Sequence, residues 1–166
     1  QQEVRVDTQG EKAIGDQVAF EIIKYAQQHG FTSEDAQKIG VDTIGVGAST
    51  RDFMRHKGWY IKEFIAGAKS EGNFKNLRSE NLWEMSQAME HSTFKIHSGL
   101  KTMDRLRQQL MAHEFSTEER MILIKPKDLI REALGESPDY ADSACIAFWV
   151  SRGNTDTRND PKRVSW

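Results

Sequence analysis

The sequence predicts an α/β fold, in which short strands alternate with amphipathic helices. Two observations support this prediction. Short runs of β-branched and aromatic residues, such as 59–65 and 120–124, are separated by segments whose apolar residues recur at helical spacing. The chain has 166 residues, which is enough for one domain with a sizeable core.

The first predicted elements are two strands with a helix between them. Residues 3–7 alternate polar and apolar side chains, as an edge strand does. Apolar residues between 13 and 26 recur at helical spacing, and Gly30 follows as a C-cap. Residues 39–42 then form a short apolar strand, which ends at an aspartate.

The middle of the chain is predicted to contain two helices, a strand and a basic loop. We expect a helix at 50–57 and a strand at 59–65, where aromatic and β-branched residues are frequent. A polar loop follows at 67–78. Ser79 is then expected to cap a helix that presents Leu82 and other apolar residues at core spacing.

The remaining chain is predicted to alternate short strands and helices. The expected strands are 94–96 and 120–124, and the expected helices are 100–110, 127–134 and 139–150. We assign residues 1–151 to one domain. Residues 152–166 lack periodicity and are expected to form a flexible tail.

Composition excludes several classes of protein. The formal net charge is -2, so any contact with nucleic acid must use local basic patches. A single cysteine, Cys145, excludes a disulfide framework within the chain and is typical of a reducing cytoplasm. No apolar run approaches the roughly 20 residues that cross a bilayer, so no membrane partner is expected. The start at Gln1 suggests a fragment or a processed chain.

Two separated acidic positions are the candidate chemical groups. Asp42 ends a predicted strand and precedes a glycine-bearing turn, where it would either bind a divalent metal ion or cap the turn. Asp139 and Asp142 lie three residues apart at the start of the last helix. They would either bind metal or complement the helix terminus, and the residue types alone leave both alternatives open.

Basic residues are the candidate contacts to phosphate. The loop from Lys69 to Arg78 is favoured because it combines positive charge with glycine and asparagine. Solvation of an ordinary surface is the alternative for each of them. The full set is Lys69, Lys75, Arg78, Lys95, Lys125, Lys127 and Arg131.

Three segments together resemble the large terminase subunits of tailed phages. The first is Val-Asp-Thr-Ile-Gly-Val-Gly-Ala at 41–48, followed by Arg-Asp-Phe at 51–53. The second is Asn-Leu-Arg-Ser-Glu-Asn-Leu-Trp at 76–83. The third is the lysine-rich stretch at 124–131, followed by Leu-Gly at 134–135 and Ser-Pro-Asp-Tyr-Ala-Asp at 137–142. Their order and spacing agree with that family over roughly residues 4–150.

The resemblance implies an RNase H-like nuclease domain, with a mixed sheet flanked by helices. It also implies a two-metal site that binds Mg²⁺ or Mn²⁺. Asp42 matches the family's second acidic position, and Asp139 or Asp142 matches the third, with Asp139 favoured. The first acidic position is expected upstream of Gln1, together with the first strands, which leaves the activity of the isolated chain in doubt. The expected DNA-binding residues are Lys69, Lys75, Arg78, Lys125 and Lys127.

The function that the resemblance implies is metal-dependent cleavage of concatemeric viral DNA with little sequence preference. The expected partners are double-stranded DNA, the portal protein, the small terminase subunit and the terminase ATPase domain, in the cytoplasm of an infected bacterium. One alternative is a catalytically incomplete docking or DNA-binding module of the packaging motor. Another is a resolvase or an integrase-type recombinase, although those enzymes lack the Ser-Pro-Asp-x-Ala-Asp ending.

Overall fold

A computed structural model describes residues 15–70 and 72–152. Within these ranges the chain forms six α-helices, one 3-10 helix and four strands. The helices are α1 (Gly15–Gln28), α2 (Val46–His56), α3 (Leu77–Glu90), α4 (Met103–Met111), α5 (Lys127–Leu134) and α6 (Asp139–Ser151). The strands are β1 (Gly40–Asp42), β2 (Lys62–Phe64), β3 (Phe115–Glu118) and β4 (Met121–Ile124), and the 3-10 helix is Ser33–Lys38.

A parallel strand pair lies at the centre of the described structure. β1 pairs with β2 so that Gly40 faces Lys62 and Asp42 faces Phe64. Helix α6 packs directly on Gly40, where an added Cβ would meet Ile146 and Val150. Because side chains alternate along a strand, Asp42 projects from the same face of the pair as Gly40. That face is the one covered by α6.

Helices α1 and α2 cover the opposite face of the parallel pair. Val41 and Ile39 point into an apolar cluster that includes buried Ala19, Met54 and Trp59. Gly15 allows α1 to approach α2 closely, because a Cβ at this position would overlap with the Ser49 side chain. Burial of this apolar surface is the main force that fixes α2, and therefore the turn after Asp42, against the strands.

A second apolar cluster joins α3, α6 and the β3–β4 hairpin. Phe64, Leu82, Met85, Cys145 and Phe148 are all buried in it. Strands β3 and β4 pair in antiparallel fashion. Phe115 lies opposite Ile124 at one end of the hairpin, and Glu118 lies opposite Met121 at the other. The Ser79 hydroxyl accepts a hydrogen bond from the Ile124 backbone N–H at 3.2 Å, which ties the hairpin to the start of α3.

The prediction of an α/β fold is confirmed, with differences in detail. The described strands form two separate pairs, and residues 94–96 are not a strand. Strand β3 was not predicted, and α2 starts earlier than expected. Asn76, not Ser79, is the N-cap of α3, because the Asn76 side chain accepts from the Ser79 N–H. The predicted strand at 3–7 and the predicted tail, from 153 onward, lie outside the described residues.

A membrane-spanning helix is not found in the described ranges. None of the helices there is both long enough and apolar enough to cross a bilayer.

Candidate functional site

Asp42 lies at the carboxyl end of β1 with an exposed side chain. Its Oδ1 accepts a hydrogen bond from the Ile44 N–H at 3.0 Å, so Asp42 caps the turn as one of the two interpretations predicted. No described residue is a hydrogen-bond partner of the other carboxylate oxygen. The carboxylate therefore caps the turn and still presents one oxygen to solvent.

Glycine at position 47 lets α2 begin directly against Asp42. A Cβ on Gly47 would overlap with the Asp42 carbonyl oxygen. Only a residue without a side chain allows this close approach of two backbones. The Gly-x-Gly segment therefore holds the strand end and the helix start together, and this contact explains the spacing of the motif in physical terms.

The first turn of α6 lies at the same end of the parallel pair as Asp42. At the opposite end, Lys62 Nζ lies 3.5 Å from the Val150 carbonyl oxygen, near the end of α6. Beyond the carboxyl end of β2, the Arg78 N–H donates to the Ala66 carbonyl at 3.0 Å, and the Arg78 side chain pairs with Asp142. Helix α6 thus runs antiparallel to β1 and β2, and both acidic positions belong to one end.

Asp142 is held between two cations. Its Oδ2 lies 2.6 Å from Lys127 Nζ, and its Oδ1 lies 3.8 Å from Arg78 Nε. The Asp142 side chain is 24% exposed and the Arg78 side chain only 13%. A carboxylate in this position compensates the charge of a guanidinium that the fold has removed from water.

Asp139 has different surroundings, although it is only three residues away. It is exposed, and its Oδ1 accepts a hydrogen bond from the Ser137 hydroxyl at 2.6 Å. In the described ranges it has no ion pair with Lys or Arg. The two aspartates of the closing helix are therefore distinguished by the structure: one is neutralised by cations and the other is open to solvent.

Gln109 is a buried residue that organises this end of the molecule. Its Oε1 accepts from the N–H groups of Tyr140 and Ala141 at 2.9 and 3.1 Å, so it caps the start of α6 from α4. Its Nε2 donates to Glu136 and to the Ser137 carbonyl. The sequence interpretation missed Gln109. The available signal was its place on the apolar face of α4, three residues after Leu106.

Arg78 is fixed in place by two neutral acceptors. Its Nη1 donates to the Lys125 carbonyl at 3.4 Å, and its Nη2 lies 3.1 Å from His113 Nε2. His113 Nδ1 lies 2.6 Å from the Gln109 carbonyl oxygen, to which it donates. Burial and the nearby Arg78 charge hold the pKa of His113 below its usual value, despite the hydrogen bond to Gln109. The imidazole is therefore a neutral acceptor at neutral pH.

The predicted DNA-binding residues are only partly brought together. Arg78 and Lys127 meet at Asp142 in the first turn of α6. Lys125 contacts Arg78 only through its backbone carbonyl, and its Nζ lies 3.6 Å from Glu114 Oε2. Lys75 instead pairs with Glu118 on the β3–β4 hairpin at 3.9 Å. Lys69 is exposed in the loop before α3.

Cys145 follows Asp142 by about one turn of α6 and belongs to the core. Its thiol is buried, and burial raises its pKa to about 12. The Asn81 amide donates to both the Cys145 carbonyl and its sulfur, at 2.7 and 2.8 Å. The sulfur is therefore a packed thiol and is not a nucleophile at neutral pH.

The acidic residues have the right donor atoms for a magnesium site, but too few of them lie together in the described ranges. Exposed carboxylate oxygens at Asp42 and Asp139 are the hard donors that Mg²⁺ and Mn²⁺ prefer. Residues 15–70 and 72–152 nevertheless contain no group of three or more His, Cys, Asp or Glu side chains close enough to hold a metal ion. The described residues thus supply only part of a donor set.

No family model and no curated protein matches the chain.

Proposed function

We propose that this chain is the main part of a metal-dependent DNA endonuclease domain, RNase H-like in fold and similar to the nuclease domain of phage terminases. The observation that supports this most is the shared position of the two acidic segments. Asp42 projects from the face covered by α6, and the first turn of α6 lies at the same end of the parallel pair. Active sites of open α/β sheets form outside the carboxyl ends of strands.

In this proposal Asp42 and Asp139 are metal ligands, and Asp142 pairs with Lys127 and Arg78 as long as no DNA is bound. Mg²⁺ or Mn²⁺ would supply Lewis-acid stabilisation of a phosphodiester undergoing hydrolysis. The third carboxylate of the set would come from outside the described residues. Arg78, Lys125 and Lys127 would hold the DNA backbone beside these carboxylates through phosphate contacts, which do not read sequence.

The test is cleavage of plasmid DNA by the full-length polypeptide in Mn²⁺. We expect Asp42→Asn to lower the cleavage rate by at least about 100-fold, the scale of loss when one group that stabilises a transition state is removed. The fold should be retained, because an asparagine oxygen can still accept from the Ile44 N–H. The matched control is Asp52→Asn, an exposed residue of α2 that loses the same charge. Cleavage by Asp42→Asn at the wild-type rate would refute the assignment.

A second candidate is a non-catalytic DNA-binding or docking module of a packaging motor. The observation that favours it is the pairing of Asp142 with Lys127 and Arg78, together with the incomplete metal group in the described ranges. Calorimetric titration with Mn²⁺ separates the two functions. The nuclease requires saturable Mn²⁺ binding that Asp42→Asn weakens. The docking module predicts no such binding, while DNA affinity measured in EDTA stays unchanged in the same variant.

A further inference from the structure

We propose that Arg78 and Lys127 form a binding site for one phosphate group of a nucleic-acid backbone. In this proposal Asp142 is the internal counter-ion that fills the site until a phosphate displaces it. The identity of the ligand rests on the proposed function, whereas the site itself follows from the contacts.

The first argument is that the two cations converge from separate elements. Arg78 belongs to the first turn of α3, and Lys127 is the first residue of α5. They meet opposite oxygens of one carboxylate, with Lys127 Nζ 2.6 Å from Oδ2 and Arg78 Nε 3.8 Å from Oδ1 of Asp142. Two neighbouring oxygens of a phosphodiester present similar geometry, and arginine and lysine are the side chains that bind it.

The second argument is that Arg78 is already ordered. Its guanidinium contacts the Lys125 carbonyl and His113 Nε2, and its backbone N–H is bonded to Ala66. Both side-chain contacts are to neutral acceptors, so they orient the guanidinium without neutralising its charge. A ligand that binds here does not have to order a flexible arginine, which lowers the entropic cost of binding.

The third argument is that Asp142 satisfies Arg78 only in part. The 3.8 Å between Arg78 Nε and Asp142 Oδ1 is short enough for an ion pair but too long for a hydrogen bond. The buried Arg78 Nε has no hydrogen-bond acceptor among the described residues. Lys127 is 39% exposed, so its ammonium group can reach an incoming ligand. A phosphate oxygen can therefore compete with the Asp142 carboxylate for both cations.

The experiment measures DNA affinity without metal, so cleavage does not enter. Fluorescence anisotropy of a labelled 20-base-pair duplex in EDTA would compare wild-type protein with Asp142→Asn. Removing the internal competitor should tighten binding by about threefold to tenfold, because partly exposed ion pairs are weak and their loss changes an affinity only by factors of this order. The control is Asp104→Asn on α4, which removes the same charge from a side chain that is 94% exposed.

Three further variants test whether the gain in DNA affinity depends on Lys127 and Arg78. Lys127→Gln should weaken binding, and Asp142→Asn should no longer tighten binding in the Lys127→Gln background. Arg78→Lys keeps the charge but loses the planar fork, and it should also weaken binding. If Asp142→Asn gains no more than Asp104→Asn, or if its gain persists without Lys127, the proposal is wrong.

A competition arm distinguishes backbone phosphate from free phosphate. Sodium phosphate at millimolar concentration is compared with sodium chloride of equal ionic strength. Equal loss of DNA binding in the two salts supports a backbone ligand. If Lys127→Gln abolishes binding of inorganic phosphate but leaves DNA affinity unchanged, the site is one for free phosphate and the nucleic-acid part of the proposal is wrong. Loss of nuclease activity in Asp42→Asn is unaffected by either result, so the two proposals fail separately.

Discussion

Asp42 and Asp142 are the same residue type at the same end of one strand pair, yet their surroundings differ. Asp42 is exposed, and its one partner among the described residues is a backbone N–H. Asp142 is half-buried and pairs with Lys127 and Arg78. The difference shows that neighbouring cations, rather than position in a motif, decide whether a carboxylate is exposed to solvent or paired within the protein.

The two sides of the site are also built by different forces. The Asp42 side depends on close packing, since α2 starts against the Asp42 carbonyl at Gly47. The Asp142 side depends on a buried polar network from Gln109 through His113 to Arg78. Packing fixes a backbone and leaves the side chain open, whereas the network fixes side chains and their charges. Substitutions on each side should therefore have distinct effects.

The largest expected effect is on the Asp142 side, from Gln109→Ala. This change removes the buried Gln109 Oε1, which accepts hydrogen bonds from the N–H groups of Tyr140 and Ala141. We expect a loss of about 2–4 kcal/mol in the free energy of unfolding, the cost of breaking a buried hydrogen-bond network. Urea unfolding measures it, with exposed Gln108→Ala as the control. A loss equal to that of the control would show that Gln109 does not organise the site.

The next effect tests the Asp42 side through Gly47→Ala. The added methyl group overlaps with the Asp42 carbonyl, so α2 or the strand end must shift. We expect a loss of about 1–3 kcal/mol, typical of overpacking. Gly67→Ala is the control, because its Cβ meets no atom within 4 Å. Equal urea midpoints for the two variants would contradict the close packing described for Asp42.

A smaller effect concerns pH and the Asp142 side. Because the pKa of His113 is lowered by folding, the unfolded chain binds a proton there more tightly than the folded chain. The free energy of unfolding therefore falls as pH drops below the usual value of 6.5. Melting temperatures between pH 7.5 and 5 should fall less in His113→Gln than in wild type. His56→Gln, which removes an exposed histidine of α2, is the control.

The last prediction is that the Cys145 thiol does not react in the folded protein. Because burial raises the pKa of Cys145 to about 12, its thiol should not react with Ellman's reagent in the folded protein at pH 8. One equivalent should react in 6 M guanidinium chloride. Rapid labelling of the native protein would show that α6 is not packed against α3 as described.

Local pattern predicted most of the helices because their signals lie within a few residues. Helix α5 was predicted with its observed bounds, with Pro126 before it and Gly135 after it. The end of β1 at Asp42 was predicted in the same way, from an apolar run followed by glycines. Strand β3 was missed because Phe115–Glu118 is mostly exposed, so its pairing with β4 decides its conformation rather than an apolar pattern.

The ion pairs of the site could not be predicted from the sequence, because they form between residues that are far apart in the chain. Asp139 and Asp142 look equivalent at a helix start, and only folding brings Lys127 and Arg78 to one of them. Gln109 contacts the start of α6 from about 30 positions earlier in the chain, which no local pattern encodes. The basic residues were proposed as one set, yet Lys75 pairs with the hairpin instead.

The most direct test of the central claim is paramagnetic broadening of backbone amide NMR signals by Mn²⁺. The claim is that Asp42 and the first turn of α6 face one site. We predict that substoichiometric Mn²⁺ broadens the amides of Thr43 and Ile44 and those of Tyr140 and Ala141 in the same titration, and that Asp42→Asn reduces both effects together. Broadening confined to one of these segments, or unchanged in the variant, would contradict the account.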